Sequence, residues 1–96
     1  MSALRWPDKD PDERLDYVLR WDAEMDAVGD EIIHSLWFIV DDDETLMIES
    51  DGVRNHETYV WLTHGEAGRS YQLTNRITTA AGRIYDRSVL LVILEK

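Results

Sequence analysis

Apolar and polar residues alternate along much of the chain with the period of two expected of a strand that buries one face. From Ser70 to Thr79, Tyr71, Leu73 and Ile77 alternate with Gln72, Thr74, Arg76 and Thr78, which predicts a half-buried strand. Ala80-Ala81-Gly82-Arg83 follows with a glycine where a hairpin needs a positive φ, and Ile84 to Leu94 predicts the long apolar strand that returns. Upstream, Ile32 to Val40 is an aromatic and β-branched run too short for a typical helix; it predicts a buried strand closed by an acidic turn at Asp41-Asp42-Asp43-Glu44. Thr45 to Glu49 predicts a short strand, Asp51-Gly52 a turn, and Glu57 to Thr63 a further strand. Gly65 and Gly68 flank Glu66-Ala67 in a tight connection. Short strands separated by turn signals favour an antiparallel β-sandwich over a βαβ fold.

Two patterns compete between Asp10 and Gly29. Asp10 suits a helix N-cap, Pro11 the first helical position, Glu13 the partner in a capping box, and Gly29 a helix stop. Leu15, Tyr17, Leu19 and Trp21 alternate instead with Asp16, Arg20 and Asp22, the period of a strand. Pattern alone leaves both open. Residues 1–10, with Pro7 and Pro11 around Asp8-Lys9-Asp10, read as an extended N-terminal arm, because proline disfavours a helical conformation in the residue before it. Residues 11–96 then form one domain without internal repeat or linker.

Composition narrows the function. A chain of 96 residues is one small domain, too short for a complete cofactor-binding scaffold. Such a domain buries only roughly 60 to 70% of its unfolded surface, so neighbouring subunits would add to its stability. The absence of cysteine removes any disulfide framework, thiolate zinc site or cysteine nucleophile. No apolar run approaches the ~18 residues of a membrane span and the N-terminus lacks a signal-peptide core, so cytoplasmic synthesis without membrane association is expected. A net charge of -10 repels phosphate backbones, which argues against direct nucleic-acid binding. Residues 1–51 hold 16 acidic and 4 basic side chains, whereas residues 52–96 hold 4 acidic and 6 basic. The acidic half keeps the protein soluble and can steer it toward a basic partner.

Candidate chemistry is sparse. His34, His56 and His64 are scattered rather than set at metal-ligand spacing; His34 reads as a core-edge residue and the other two as loop residues. Asp8, Asp10 and Asp12 share the opening spacing of a calcium loop, but Glu13 stands where the glycine belongs and Leu19 where the glutamate belongs. The Asp41 to Glu44 run reads as a solvated turn, with cation binding as the sharper alternative. No serine lies in a G-x-S-x-G elbow and no phosphate loop exists, so neither catalysis nor a cofactor has sequence support. Tyr71, opening the penultimate strand just after a turn, fits a tyrosine corner, and Trp37 fits the centre between two sheets. Both are expected in the core with Leu73, Ile77, Leu91 and Ile93.

The chain resembles the small immunoglobulin-like virion proteins of tailed bacteriophages described as fiber-tail adaptors. The resemblance is carried by Lys9-Asp10-Pro11-Asp12-Glu13, Leu15-Asp16-Tyr17, Trp21, Trp37, Val60-Trp61-Leu62 before Gly65 and Gly68, and the run from Tyr71 to Arg83 leading to Asp86-Arg87-Ser88. It implies an all-β, immunoglobulin-like antiparallel sandwich without enzymatic activity, and it favours a strand from Leu15 to Trp21. It also implies a virion location and partners among tail, fiber, connector or capsid proteins, with copies of the chain in a symmetric assembly. A capsid decoration protein is the alternative within that class. A carbohydrate- or host-binding module is a second, resting on Trp6, Tyr59 and Trp61 as exposed stacking rings. The Asp41 to Glu44 run and fewer Thr-rich connections depart from the family pattern.

In this frame the arm is the expected partner-binding element. Leu4 and Trp6, with Asp8 and Asp10 beside them, are the residues placed to meet a neighbour, Trp6 as an exposed aromatic anchor. Deleting residues 1–9 is then expected to spare the fold.

Overall fold

Strands form where the alternation is strongest. The computed structural model describes residues 4–40 and 44–96. In chain order the elements are β1 (Leu4–Arg5), β2 (Leu15–Arg20), α1 (Asp22–Val28), β3 (Ile32–Ile39), β4 (Leu46–Arg54), β5 (Glu57–His64), β6 (Ser70–Thr79) and β7 (Ile84–Val92). They make a four-stranded sheet, β1-β7-β6-β3, and a three-stranded sheet, β2-β5-β4. β1 runs parallel to β7 and every other pairing is antiparallel.

The alternation fixes which side chains lie between the sheets. Tyr17, Leu19, Val60, Leu62 and Leu46 face inward from one sheet; Trp37, Tyr71, Leu73, Ile77, Val89 and Leu91 do so from the other. Trp37 and Tyr71 are buried with Leu73, Ile77, Leu91 and Ile93, as the sequence led us to expect. Each such side chain contributes about 1.5–3 kcal/mol by leaving water, which is what holds the two layers together. A buried polar chain also crosses the core. Trp21 Nε1 donates to Thr58 Oγ1 (3.1 Å), Thr58 Oγ1 donates to Asn75 Oδ1 (2.7 Å), and Asn75 Nδ2 donates to Ser35 Oγ (2.9 Å) and the Leu36 carbonyl (3.1 Å). It ties β5 of one sheet to β6 and β3 of the other.

The competing signals between Asp10 and Gly29 belong to different residues. β2 forms because Leu15 to Arg20 ladder against Leu62 to Glu57. The helix is confined to Asp22–Val28 and ends at Gly29, whose φ of 63° is the left-handed conformation a glycine stop supplies. The helix-start signal at Asp10 closes a turn instead: the Asp10 N–H donates to Glu13 Oε1 (2.8 Å) and the Glu13 N–H to the Asp10 carbonyl (3.0 Å).

Two expectations are corrected. The turn placed at Asp51-Gly52 lies at Asn55-His56, and β4 runs through Gly52. Gly52 marks a close approach, since a Cβ there would stand 2.3 Å from the Tyr59 hydroxyl; Asn55, at φ 54°, takes the left-handed turn conformation that asparagine tolerates. The strand from Ile32 to Val40 is not buried. It is the edge of its sheet, with Trp37 inside and Ile33, His34, Leu36 and Phe38 exposed. Asp41, Asp42 and Asp43, with the acidic turn and cation reading placed on them, lie outside the described residues, as do the first three residues of the arm. Among the described residues no helix is long and apolar enough to cross a membrane.

Candidate partner interface

The N-terminal segment is part of the sandwich. Leu4 and Arg5 pair with Val89 and Leu90; the Trp6 N–H donates to the Leu90 carbonyl (3.0 Å) and the Lys9 N–H to that of Val92 (3.1 Å). Trp6 is 8% exposed: it stacks on Tyr17 at 4.6 Å, lies 5.6 Å from Trp37, and donates from Nε1 to the Val18 carbonyl (3.2 Å). The expectation of an exposed Trp6 anchor is therefore corrected. The free edge of β7 satisfies the backbone of the segment, and the indole fills a slot that the core would otherwise leave empty.

Lys9 is the residue that sequence reasoning missed. It is 0% exposed, and its ammonium donates to the carbonyls of His64 (2.6 Å) and Asp10 (2.9 Å). Burial lowers its pKa, while the nearby carboxylates of Glu13, Asp10 and Asp12 act in the opposite direction. Asp10 accepts from the backbone N–H groups of Lys96 (2.7 Å) and Asp12 (2.8 Å), which lower its pKa. Asp8 is half-buried and accepts from Arg5 (2.9 Å); Leu4 is exposed. The four candidate residues thus share one border of the fold. Leu4 faces out, Trp6 faces in, and the carboxylates hold neighbouring chain.

The outer face of the β2-β5-β4 sheet carries Tyr59 and Trp61, each half-buried. The Arg14 guanidinium lies 4.2 Å above the Trp61 ring and is tied to Glu49 (2.8 Å), and that of Arg54 lies 4.6 Å above Tyr59 and pairs with Glu57 (2.9 Å). These rings are covered by cations. With Trp6 inside, the exposed row of rings required for a sugar-stacking surface is not formed.

On the border where β3 and β4 end their respective sheets, a groove of about 640 Å³ is lined by Trp37, Phe38, Ile39, Glu44, Leu46, Met47 and Ile48. The Trp37 indole N–H is buried without an acceptor among the described residues. At the opposite end, Asp22, Asp26 and His56 come together, with His56 Nδ1 3.3 Å from Asp26 and 3.9 Å from Asp22. Arg20 already pairs with Asp22 (3.0 Å), so this cluster reads as a polar surface network beside α1.

A family model described as Podophage GP4 fiber-tail adaptor protein gp77 matches residues 9–92, from the buried Lys9 to the last residue of β7. No curated protein matches the chain.

Proposed function

The chain belongs to the podophage GP4 fiber-tail adaptor family, and from that premise we propose that it is a non-enzymatic virion subunit docking fiber proteins onto the tail. The observation that carries this reading is the match over most of the chain, including every strand except β1. We infer an immunoglobulin-like frame for the sandwich. The orders β2-β5-β4 and β7-β6-β3, Trp37 buried on the third strand, and the Tyr71 hydroxyl accepting from the Glu66 N–H (2.9 Å) support it. A small sandwich suits an adaptor because its edges and end loops can be covered by different neighbours, including copies of itself in a ring. The exposed side of β1, with Leu4 and Arg5, is one such surface.

Cryo-electron microscopy of intact particles tests the assignment. The expected density lies between tail and fiber, and particles lacking the protein should lack fibers. Density spread over the capsid, with fibers retained in its absence, would replace the adaptor reading by a decoration role.

A further inference from the structure

We propose that β3 is a docking edge, to which an extended segment of a partner protein, apolar in its middle and basic at its ends, adds as a further strand of the β1-β7-β6-β3 sheet. The proposal rests on the adaptor reading for the existence of a partner and adds how that partner is held. Among the described residues β3 ladders with β6 alone, leaving the other side of its backbone without a strand. Exposed edges are ordinarily protected by charge, proline, brevity or bulges. β2 carries Asp16 and Arg20; β4 carries Glu49, Asp51 and Arg54 and an irregularity between Ile48 and Ser50; β1 has two residues. β3 has eight residues with neither charge nor proline, and its one irregularity is confined to its start, between Ile32 and His34. Ile33 is 64% and Leu36 48% exposed, and Phe38 is exposed beside them.

Two observations identify the occupant. The groove beside the second half of β3 is lined by Trp37, whose buried indole N–H lacks an acceptor among the described residues; an added chain brings acceptors. Charge decides the rest. Asp30 and Glu31 precede the strand, Asp30 being matched by Arg83 (2.8 Å), and Glu44 lines the groove beyond its end. Antiparallel pairing of two copies would bring each Glu44 toward the other copy's Asp30-Glu31, between chains of net charge -10. That opposes a second copy, whereas basic ends on a foreign strand are attracted.

Titration calorimetry of the full chain tests this with a synthetic peptide of alternating valine and threonine ending in lysines. Binding is expected, weakening by about tenfold when the terminal lysines become glutamates, and being lost when alternate peptide nitrogens are methylated. Leu36→Lys should weaken it about tenfold with unchanged circular dichroism; Ile33→Lys, at the most exposed position of the strand, serves if the first variant does not fold. Absence of binding by the wild-type chain, or equal binding of the N-methylated peptide, would overturn the proposal. So would self-association of the chain that the peptide does not reverse. Particles that keep their fibers with Leu36→Lys installed would overturn the β3 edge alone, whereas a capsid location would overturn the adaptor reading.

Discussion

Asn75 shows how a single polar residue can specify a sandwich. It is fully buried, yet its carbonyl oxygen accepts from Thr58 and its amide donates to Ser35 and Leu36, so each of these atoms has a partner. Asn75→Ala would strip the Thr58 hydroxyl, the Ser35 hydroxyl and the Leu36 carbonyl of one partner each, the first of them in the closed interior and the other two on the edge strand β3. Leaving buried groups unsatisfied costs about 1–3 kcal/mol each, so a loss near 3 kcal/mol is expected in urea denaturation. A midpoint shift corresponding to under about 1 kcal/mol would mean that water or repacking replaces the network. The sign of this residue was present in the alternation: Tyr71, Leu73, Asn75, Ile77 and Thr79 share one parity, so Asn75 occupies an inward position. Thr58 does the same beside Val60 and Leu62. A polar residue at inward parity implies a buried partner, although parity does not say which one. Lys9 offers no such sign. A lysine between Asp8 and Asp10 reads as solvated, and it is buried because β7 has an edge to which the segment can attach.

At the scale of elements, the two patterns between Asp10 and Gly29 divide the segment: the strand favoured over Leu15 to Trp21 forms, Gly29 does stop a helix, and the signal at Asp10 closes only a turn. Only half of the capping box forms, since Glu13 Oε1 accepts from the Asp10 N–H while the Asp10 carboxylate accepts from Asp12 and Lys96, and the ladder from Leu15 onward captures the chain as strand because Tyr17 and Leu19 gain more by facing the opposite sheet. Only after Trp21 does the helix begin, and Gly29 ends it. No heavy atom lies within 4 Å of where a Cβ on Gly29 would sit, so Gly29→Ala tests backbone conformation without a clash; about 1 kcal/mol of destabilisation is expected from thermal melts. Asp30 then clamps the entry to β3 onto the β6–β7 hairpin. Its carboxylate is bonded by the Thr79 hydroxyl, the Glu31 N–H (2.9 Å), Arg83 Nη1 (2.8 Å) and the Ala81 N–H (3.1 Å), and these hold its pKa well below the usual carboxylate range. Because the folded pKa is depressed, the stabilisation is present above the unfolded value of about 4 and is lost as pH falls from there toward the folded pKa. Asp30→Asn should therefore be less stable than wild type at neutral pH, with the gap closing in denaturation curves as the pH drops below about 4. A gap independent of pH would show that the clamp acts through geometry rather than charge.

Across the whole molecule, strand order turns a sequence asymmetry into a spatial one. β1, β2, β3 and β4, all from residues 4–54, occupy all four sheet edges, while β5, β6 and β7 lie at the centres. The edge strands carry three acidic and three basic side chains, so the acidic excess of the first half falls in the segments between strands. The charge difference was legible in the sequence, but the central place of the later strands was not, because it depends on which strands pair. The same dependence explains the arm. Pro7 and Pro11 do keep residues 4–10 out of a helix, but an extended segment is also what an open β7 edge accepts. Removing residues 1–9 takes away the Trp6 indole stacked on Tyr17, the two backbone bonds to Leu90 and Val92, and the ammonium that binds the His64 carbonyl. Loss of a buried tryptophan alone costs about 3–5 kcal/mol, against a total stability of about 5–15 kcal/mol for an ordinary domain. The truncated chain is accordingly expected to lose cooperative thermal unfolding or to melt far below the full chain. Its absence from particles would then report instability, and an exposed-side substitution such as Leu4→Asp is the cleaner probe of partner contact at β1. An unchanged melting temperature after truncation would show that Trp6 and Lys9 add nothing to the core and would restore the segment as a free arm.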